Sequence, residues 1–328
     1  MKEFAFIRQL TSRLSRKTGM LIRGIGDDCA HIAPAPPDAV QLISIDTLSE
    51  GVHFSERYSN RHDIGWRSVA VNLSDLAASG ADTDLPMFLF LALAVPQEIR
   101  DEDLTEIIEG VADCAETYGA IVAGGDSTMS LSRLTITITA VGYTRNPISR
   151  EGAKRGDLLA VIGDVGCAGA GFDLLETGKR NADTDGLVAC YTRPRPLLSV
   201  GTAMSRSGTI SAMLDISDGV IADAGHLVEF GALNVFIDID KLPVPRIARD
   251  LLGDDKAFQL AATFGDDYAL LCALDPSKLE QAQKLAQENG SAMTVIGRFE
   301  TGQGQVHPTF NGEPIKYTTS GYQHTIGR

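Results

Sequence analysis

Near its start the chain carries the heptapeptide Gly24-Ile25-Gly26-Asp27-Asp28-Cys29-Ala30. The two glycines allow a tight backbone turn, and two adjacent carboxylates follow it. Two bare carboxylates about 4 Å apart repel each other by about 4 kcal/mol at an effective dielectric constant of about 20. A solvated turn tolerates this repulsion, whereas a buried turn needs a cation. The heptapeptide alone therefore leaves a surface turn and a cation site both open.

Further aspartates occur in similar settings along the chain. They follow or lie within apolar segments: Asp46, Asp75, Asp126, Asp215, Asp218, Asp266 and Asp267. Each one alone is explained as a helix cap or a turn residue. As a set, carboxylates at the ends of apolar strands predict ligands that converge on hard cations such as Mg²⁺.

The composition indicates a globular protein of about two domains. The chain has 328 residues, of which 44% are hydrophobic, and a formal net charge of −14. This charge argues against a nucleic-acid surface, which requires clustered Lys and Arg. Five widely spaced cysteines without C-x-x-C, and no signal-peptide core, lead us to expect reduced thiols in the cytoplasm. The longest apolar run, residues 85–96, is too short to span a bilayer, so we expect no membrane insertion.

Hydrophobic periodicity predicts alternating helices and strands. Helices are expected over residues 4–14, 61–80, 103–118, 220–230 and 276–289, with two more after Gly163 and Pro196. Strands are expected over residues 41–46, 87–95, 121–123, 134–143, 158–162, 210–214, 268–274 and 295–299. Asn146-Pro147 breaks the pattern, so we place the boundary between domains 1–147 and 148–328 there. The mixture in each half predicts an α/β or α+β fold.

The motifs argue against several kinds of chemistry. The chain has neither a P-loop G-x-x-x-x-G-K-[ST] nor a proper G-x-G-x-x-G after a strand. The glycines of residues 163–171 allow close strand–helix packing, which we favour, or a phosphate at a helix N-terminus. No nucleophile–base pair can be assembled, and the histidines lack spacings such as H-E-x-x-H. Only His53, soon after Asp46, is kept as a candidate.

A carboxylate set without an evident base favours metal-assisted phosphoryl transfer. This reaction needs in-line positioning and neutralisation of charge on the transferred group. A phosphate acceptor is already anionic at neutral pH, since its second pKa is about 6, and it then needs no general base. The obstacle is repulsion between two polyanions, which several cations reduce.

Six motifs occur in an order and spacing that extend over nearly the whole chain. They are the heptapeptide above, Ser44-Ile45-Asp46-Thr47-Leu48, Gly51-Val52-His53-Phe54, Val71-Asn72-Leu73-Ser74-Asp75-Leu76-Ala77-Ala78, Gly124-Gly125-Asp126-Ser127-Thr128 and Leu214-Asp215-Ile216-Ser217-Asp218-Gly219. Together they resemble the thiamine-monophosphate kinase family. Single motifs are shared with the wider superfamily of aminoimidazole ribonucleotide synthetase and selenophosphate synthetase.

This resemblance implies an enzyme that transfers the γ-phosphate of ATP directly to thiamine phosphate. The products are thiamine diphosphate and ADP, and no phospho-enzyme forms. The implied fold has an N-terminal α/β domain that binds ATP and Mg²⁺, whose sheet pairs with its copy in a homodimer. A C-terminal α/β domain follows.

The resemblance also implies roles for individual residues, carried over by motif match. Mg²⁺ would be held by Asp28, Ser44, the backbone of Ile45, Asp46, Asp75, Asp126, Asp215 and Asp218. ATP would be contacted by Gly125, Asp126, Arg150 and Ser217, and thiamine phosphate by His53, Asp266 and Tyr322. No covalent nucleophile is assigned. Asp266 stands where the family usually has the longer glutamate.

Two alternatives remain open. The first is another ATP-dependent enzyme of the same superfamily. Against it, the glycine-rich Cys motif of selenophosphate synthetase is missing, and aminoimidazole ribonucleotide synthetase lacks the His53 motif. The second is a non-catalytic scaffold that binds a Mg-nucleotide. The changed Asp266 region fits such a protein, whereas the intact aspartate set argues against it.

Overall fold

A computed structural model of the chain describes residues 13–14, 19–319 and 321–322. The predicted opening helix over residues 4–14 therefore lies almost wholly outside the described residues. The chain divides into two units, one of residues 1–76 and 81–145 and one of residues 77–80 and 146–328. Among the described helices, none combines the length and hydrophobicity needed to cross a membrane.

The first unit is built on a four-stranded sheet beside a short hairpin. The hairpin is β1 (Leu21–Arg23) with β2 (His31–Ile32), and the sheet contains β3 (Val40–Ser49), β4 (Met87–Pro96), β5 (Ala120–Ser130) and β6 (Thr135–Thr144). The strand order is β3-β6-β4-β5, in which only β4 and β5 run parallel. The helices are α1 (Arg61–Ala78) and α2 (Asp101–Thr117).

Helix α1 begins at a capping residue and crosses α2 at very short range. The side chain of Asn60 accepts the backbone N–H of Asp63 at 2.7 Å and donates to the Asp63 carboxylate at 3.1 Å. This satisfies donors that the helix itself leaves unpaired. A Cβ on Gly65 would lie 1.9 Å from the carbonyl oxygen of Ile107. The crossing therefore requires glycine at position 65.

In the first unit, β3 alternates between exposed and half-buried residues along most of its length. On β3, Ser44 and Asp46 are half-buried, whereas the alternating Ile43 and Ile45 are 65% and 64% exposed. Since successive side chains of a strand point to opposite faces, one face of this sheet presents apolar side chains to solvent. A small cluster that includes Leu21 covers part of the sheet.

The second unit contains a seven-stranded sheet and seven helices among the described residues. The strands are β7 (Leu158–Ile162), β8 (Ile210–Asp215), β9 (Leu233–Asp238), β10 (Leu270–Leu274), β11 (Met293–Thr301), β12 (Val306–Phe310) and β13 (Glu313–Pro314). Their order is β13-β12-β9-β11-β7-β10-β8, and only β12 and β9 run parallel. The helices are α3 (Cys167–Thr177), α4 (Asp185–Thr192), α5 (Leu198–Ser207), α6 (Val220–His226), α7 (Arg246–Leu252), α8 (Asp254–Thr263) and α9 (Leu279–Glu288).

The predicted mixture of helices and strands in two domains is confirmed, with local corrections. Asp46 and Asp126 lie within β3 and β5, not at strand ends, because pairing with neighbouring strands continues past both residues. The helix expected over residues 220–230 ends at His226. There the N–H groups of Leu227 and Val228 donate to carbonyls three residues earlier in the chain, which ends the α-helical hydrogen-bond pattern.

Candidate metal and nucleotide site

In the first unit, β3 and α1 bring two carboxylates together. The hydroxyl of Ser44 donates a hydrogen bond to the Asp75 carboxylate, and the Asp46 and Asp75 side chains interact directly. The Asn72 side chain, one turn before Asp75, accepts the backbone N–H of Asp46 at 3.2 Å and donates to the Ser68 carbonyl at 3.0 Å. The helix thus fixes the strand backbone at the point where its acidic side chains emerge.

The electrostatics of this pair favour a cation. Burial, and then the neighbouring Asp75 carboxylate, raise the pKa of Asp46 to about 7. Two acidic groups in contact disfavour double ionisation unless positive charge is added. A hard divalent cation accepts carboxylate and hydroxyl oxygens and supplies that charge. Ser44, Asp46 and Asp75 therefore have the donor chemistry of a magnesium site.

A cleft of about 750 Å³ brings the glycine-rich turn next to β5. It is lined by residues 24–30 and 122–127, so Asp28, Gly125 and Asp126 all face one space. Asp27 accepts the N–H of Asp28 at 2.9 Å and pairs with Arg23, and these two interactions lower the pKa of Asp27. A Cβ on Gly125 would lie 2.2 Å from the Leu91 carbonyl oxygen, so only glycine fits there.

In the second unit, acidic residues surround the connection from β8 to α6. Asp215 ends β8, and a buried aspartate on α6, Asp223, accepts the backbone N–H groups of Asp218 at 3.1 Å and Gly219 at 3.0 Å. Burial, followed by the charges of Asp215 and Asp218, raises the pKa of Asp223 well above its usual range. Ligand atoms of Asp218, Asp223 and His226 lie within 4.8 Å of one another.

The segment around Asp266 packs against the same connection. The N–H of Asp266 donates to the Ser217 carbonyl at 2.9 Å, and a Cβ on Gly265 would lie 2.2 Å from that oxygen. Asp266 and Tyr268 have φ values of 59° and 52°, which side chains rarely adopt outside constrained sites. The Tyr268 hydroxyl donates to the Asp266 carboxylate at 3.1 Å. Asp266 is therefore held firmly beside Ser217.

The glycines of residues 163–171 serve packing. The Asp267 carboxylate accepts the N–H groups of Gly166 at 2.6 Å and Ala168 at 3.0 Å, at the start of α3. Burial raises the pKa of Asp267 to about 7 despite these donors. Cβ atoms on Gly166 and Gly171 would lie 2.9 Å and 2.1 Å from atoms of α8 and α4. The Asp267 carboxylate therefore occupies the N-terminus of α3, where the sequence left a bound phosphate as an alternative.

Tyr322 lies next to the β8–α6 connection. Its N–H donates to the Asp218 carbonyl at 3.1 Å, and a Cβ on Gly321 would lie 2.6 Å from that oxygen. Asp218 and Tyr322 both line a cavity of about 960 Å³, whose wall also contains Phe236 and Tyr317. The C-terminal segment thus places an aromatic side chain close to the acidic loop.

Two further predicted residues, His53 and Arg150, lie in or next to backbone segments that hydrogen bonds hold in place. His53 lies in the turn after β3, where its Nδ1 accepts the N–H of Ser49 at 3.0 Å. Arg150 is exposed in the second unit, next to Ser149, whose carbonyl accepts the N–H of Met213 on β8 at 3.1 Å.

The structure therefore groups the predicted residues within each unit. Asp46 contacts Asp75 in the first unit, where Asp28 and Asp126 share a cleft, and Asp215 neighbours Asp218 in the second. Three residues with a structural link to these groups were not predicted: Asn72, Asp223 and His226. Asn72 lies within one of the six sequence motifs, where its residue type alone indicates no role. For Asp223, the available signal in the sequence was its spacing of four residues, about one helical turn, from Gly219.

Comparison with known proteins agrees with this architecture. The family model described as "AIR synthase related protein, N-terminal domain" matches residues 26–144, and the corresponding C-terminal domain model matches residues 154–307. The two halves, each with its acidic groups, define a member of the AIR synthase related proteins. Escherichia coli HypE, a hydrogenase maturation protein, shares this fold at 18% identity and a TM-score of 0.75.

Relatives with higher sequence identity to this chain identify its family more precisely. Thiamine-monophosphate kinase of Haemophilus influenzae is 30% identical over 99% of this chain and 98% of its own length. That of Escherichia coli K12 is 31% identical over 98% of both chains. The crystal structure of the Stenotrophomonas maltophilia enzyme has a TM-score of 0.84 at 32% identity, covering 96% of this chain and 98% of that one. The chain belongs to the thiamine-monophosphate kinase family.

A further solved structure was determined with ligands. AaThiL complexed with AMPPCP and TMP has a TM-score of 0.74 at 27% identity, and the match covers 98% of this chain and 97% of that one.

Proposed function

We propose that this protein transfers the γ-phosphate of ATP to thiamine phosphate and releases thiamine diphosphate and ADP. Family membership supports this reaction, as does the complex of a relative with AMPPCP and TMP. Within the molecule, the observation that carries the proposal is the Asp75 carboxylate, which accepts the Ser44 hydroxyl and lies beside Asp46. Paired carboxylates next to a hydroxyl can bind a divalent cation, and cations are what two phosphates need in order to approach each other.

Bound Mg²⁺ would neutralise the charge that the transferred and accepting phosphates share. The residues that would hold it are Ser44, Asp46 and Asp75 in one group, Asp28 and Asp126 in a second, and Asp215 and Asp218 in a third, with the Ile45 carbonyl assisting. All offer oxygen ligands, which Mg²⁺ prefers. The acceptor phosphate is anionic at neutral pH, so no side chain is assigned to remove a proton from it.

The other predicted residues bind and orient the substrates. We assign Gly125, Arg150 and Ser217 to ATP, where the guanidinium of Arg150 suits bidentate phosphate binding. We assign His53, Asp266 and Tyr322 to thiamine phosphate. In neutral His53 the Nδ1 accepts a backbone N–H, so Nε2 carries the proton and donates.

We also propose that the protein acts as a homodimer through the exposed face and edges of its four-stranded sheet. The exposed Ile43 and Ile45 give this face its apolar character. Asp46 on β3 and Asp126 on β5 stand three strand spacings apart, which is about 14 Å at about 4.8 Å per spacing. With Mg–oxygen distances of about 2.1 Å, two aspartates that far apart do not share one ion. A second copy that places its β3 beside β5 lets Asp126 join the partner's acidic pair.

Mixed dimers test this arrangement. Asp46→Asn and Asp126→Asn chains, each inactive alone, are co-expressed with different tags, and the mixed dimer is isolated. If the site is shared between copies, the mixed dimer contains one intact site and about half of the wild-type activity. A mixed dimer as inactive as either parent, or a wild-type protein that sediments as a monomer, contradicts the proposal.

The reaction itself is tested by product analysis. The protein is incubated with Mg-ATP and thiamine phosphate, and thiamine diphosphate and ADP are quantified by chromatography. We expect equal amounts of both products, and none of either in EDTA. Tight binding of Mg-ATP without any product supports the non-catalytic scaffold instead. All five cysteines are free in the structure, which fits a reducing cytoplasm as the place of this reaction.

A further inference from the structure

Two cysteines of the second unit lie next to each other although they belong to different helices. Cys167 begins α3, and Cys190 lies in the last turn of α4. The Cys167 thiol donates a hydrogen bond to the sulfur of Cys190, and both residues are half-buried. The proposed phosphoryl transfer assigns no role to either thiol.

The packing of the two helices brings these thiols together. A Cβ on Gly171 would lie 2.1 Å from the Leu187 carbonyl oxygen, so only glycine allows this approach of α3 to α4. Cys167 lies one turn before Gly171, and Cys190 lies about one turn after Leu187. Because residues one turn apart share a helix face, the contact between the helices extends to the two cysteines. The proximity of the sulfur atoms is therefore set by the backbones of two packed helices.

The surroundings make Cys190 the more reactive thiol of the pair. The hydrogen bond from Cys167 lowers the pKa of Cys190. Burial and the carboxylates of Asp267 and Asp164 oppose this effect, whereas the Arg195 guanidinium supports it. The thiolate form attacks disulfides, so Cys190 is the expected nucleophile, and Cys167 is within reach to attack it in turn.

We propose that Cys167 and Cys190 are a site of reversible oxidation, at which a small-molecule disulfide converts the two thiols into a disulfide between α3 and α4. The Cys190 thiolate attacks one sulfur of the small disulfide and forms a mixed disulfide, and the thiolate that leaves takes up a proton. The Cys167 thiol then loses its proton and attacks the Cys190 sulfur, which releases the second small thiol. Two protein thiols are thus oxidised, and one small disulfide is reduced to two thiols.

The other cysteines provide internal controls for this reaction. Cys272, on β10 in the same unit, is fully buried, and burial raises its pKa to about 12. Its thiol should react only when the protein unfolds, so it reports on the folded state. Cys29 is exposed in the glycine-rich turn of the first unit. We therefore use Cys29→Ser as the background for every protein compared, so that adducts at Cys29 do not obscure the result.

The measurement is disulfide mapping of the folded protein. The protein is incubated with oxidised glutathione, free thiols are alkylated, and tryptic peptides are analysed by mass spectrometry without reduction. Trypsin leaves Cys167 and Cys190 in separate peptides, residues 156–179 and 181–206. We expect a disulfide to join these two peptides and dithiothreitol to separate them. The oxidised protein should also melt about 4 °C or more above the reduced protein, because the disulfide restricts the unfolded chain.

Two single substitutions separate the roles of the thiols. Cys167→Ser should stop at the mixed disulfide, with glutathione retained on Cys190. Cys190→Ser should react at least about tenfold more slowly, because burial still disfavours the Cys167 thiolate once its hydrogen bond to Cys190 is gone. Neither variant should show the rise in melting temperature on oxidation.

Two outcomes overturn the inference. One is a folded protein in which Cys167 and Cys190 carry separate glutathione or alkyl groups and no linked peptides are found. The other is a linked pair that appears only where Cys272 is alkylated too, because the disulfide then forms in the unfolded chain. Neither readout depends on catalysis, so failure of this inference is distinguishable from failure of the proposed phosphoryl transfer.

Discussion

The contact between Asp46 and Asp75 predicts that one substitution has opposite effects with and without metal. In Asp75→Asn the neighbouring negative charge is removed, while the volume of the side chain stays nearly the same. Without divalent cations the substitution should stabilise the protein, because Asp46 no longer faces a second carboxylate. With Mg²⁺ the same substitution removes a ligand, so the stabilisation by the cation should largely disappear.

The magnitude and the pH dependence follow from the raised pKa of Asp46. Its value of about 7 in the folded protein, against 3.8 for an unperturbed group, means that the stability it contributes is complete below pH 3.8. That contribution is lost as the pH rises through about 7. The cost of burying the Asp46 charge persists in the variant. Only the part of the destabilisation that is due to the Asp75 charge is therefore removed. Two charges about 4 Å apart interact by about 4 kcal/mol at a dielectric constant of about 20, and partial exposure reduces this to about 1–2 kcal/mol.

The assay is thermal unfolding in EDTA at pH 8 and pH 5, repeated with Mg²⁺. At pH 8 we expect Asp75→Asn to melt about 2–8 °C above wild type, since about 1 kcal/mol corresponds to about 2–4 °C for a domain of this size. At pH 5 the difference should nearly vanish, because Asp46 already carries a proton. Asp250→Asn, which removes an exposed charge on α7, should change little at either pH. A lower melting temperature for Asp75→Asn at pH 8 in EDTA would refute the reasoning.

Three further outcomes are expected. Gly65→Ala should destabilise the protein by about 1–3 kcal/mol or more, measured by urea unfolding, because the added methyl group meets the α2 backbone. A variant as stable as wild type would show that α1 shifts freely. Asp267→Ala should lower the free energy of unfolding by about 0.5–2 kcal/mol, because the N–H groups at the start of α3 lose their acceptor. Asp267→Asn should lower it less. Equal losses of stability for the two variants would contradict this capping role. His53→Ala should raise the KM for thiamine phosphate about tenfold and leave that for ATP unchanged; the reverse pattern would remove His53 from the acceptor site.

The sequence predicted the elements whose periodicity is strong. The buried stripe of α1 and the alternation of β6 both depend on local spacing, and both elements are found where they were expected. The grouping of Asp46 with Asp75 was predicted through the family resemblance. It has a simple geometric basis, because a strand and the helix packed on it put the two side chains on the same face.

Features set by distant contacts could not be predicted in this way. The continuation of β5 through Asp126 depends on pairing with β4, which local composition does not reveal. Helices α7 and α8, between residues 246 and 263, were not predicted because short helices draw much of their stability from packing. Asp223 went unnoticed since its importance arises from hydrogen bonds to backbone groups that only the fold brings near.

The most direct test of the cation sites is diffraction from crystals grown with Mn²⁺, AMPPCP and thiamine phosphate. Mn²⁺ binds the same carboxylate oxygens as Mg²⁺, and its anomalous scattering locates each ion independently of the refined coordinates. We predict peaks in contact with Asp46 and Asp75, with Asp126 supplied by the partner copy, and the nucleotide phosphates beside them. Ordered AMPPCP whose phosphates have no Mn²⁺ near these three carboxylates would contradict the account.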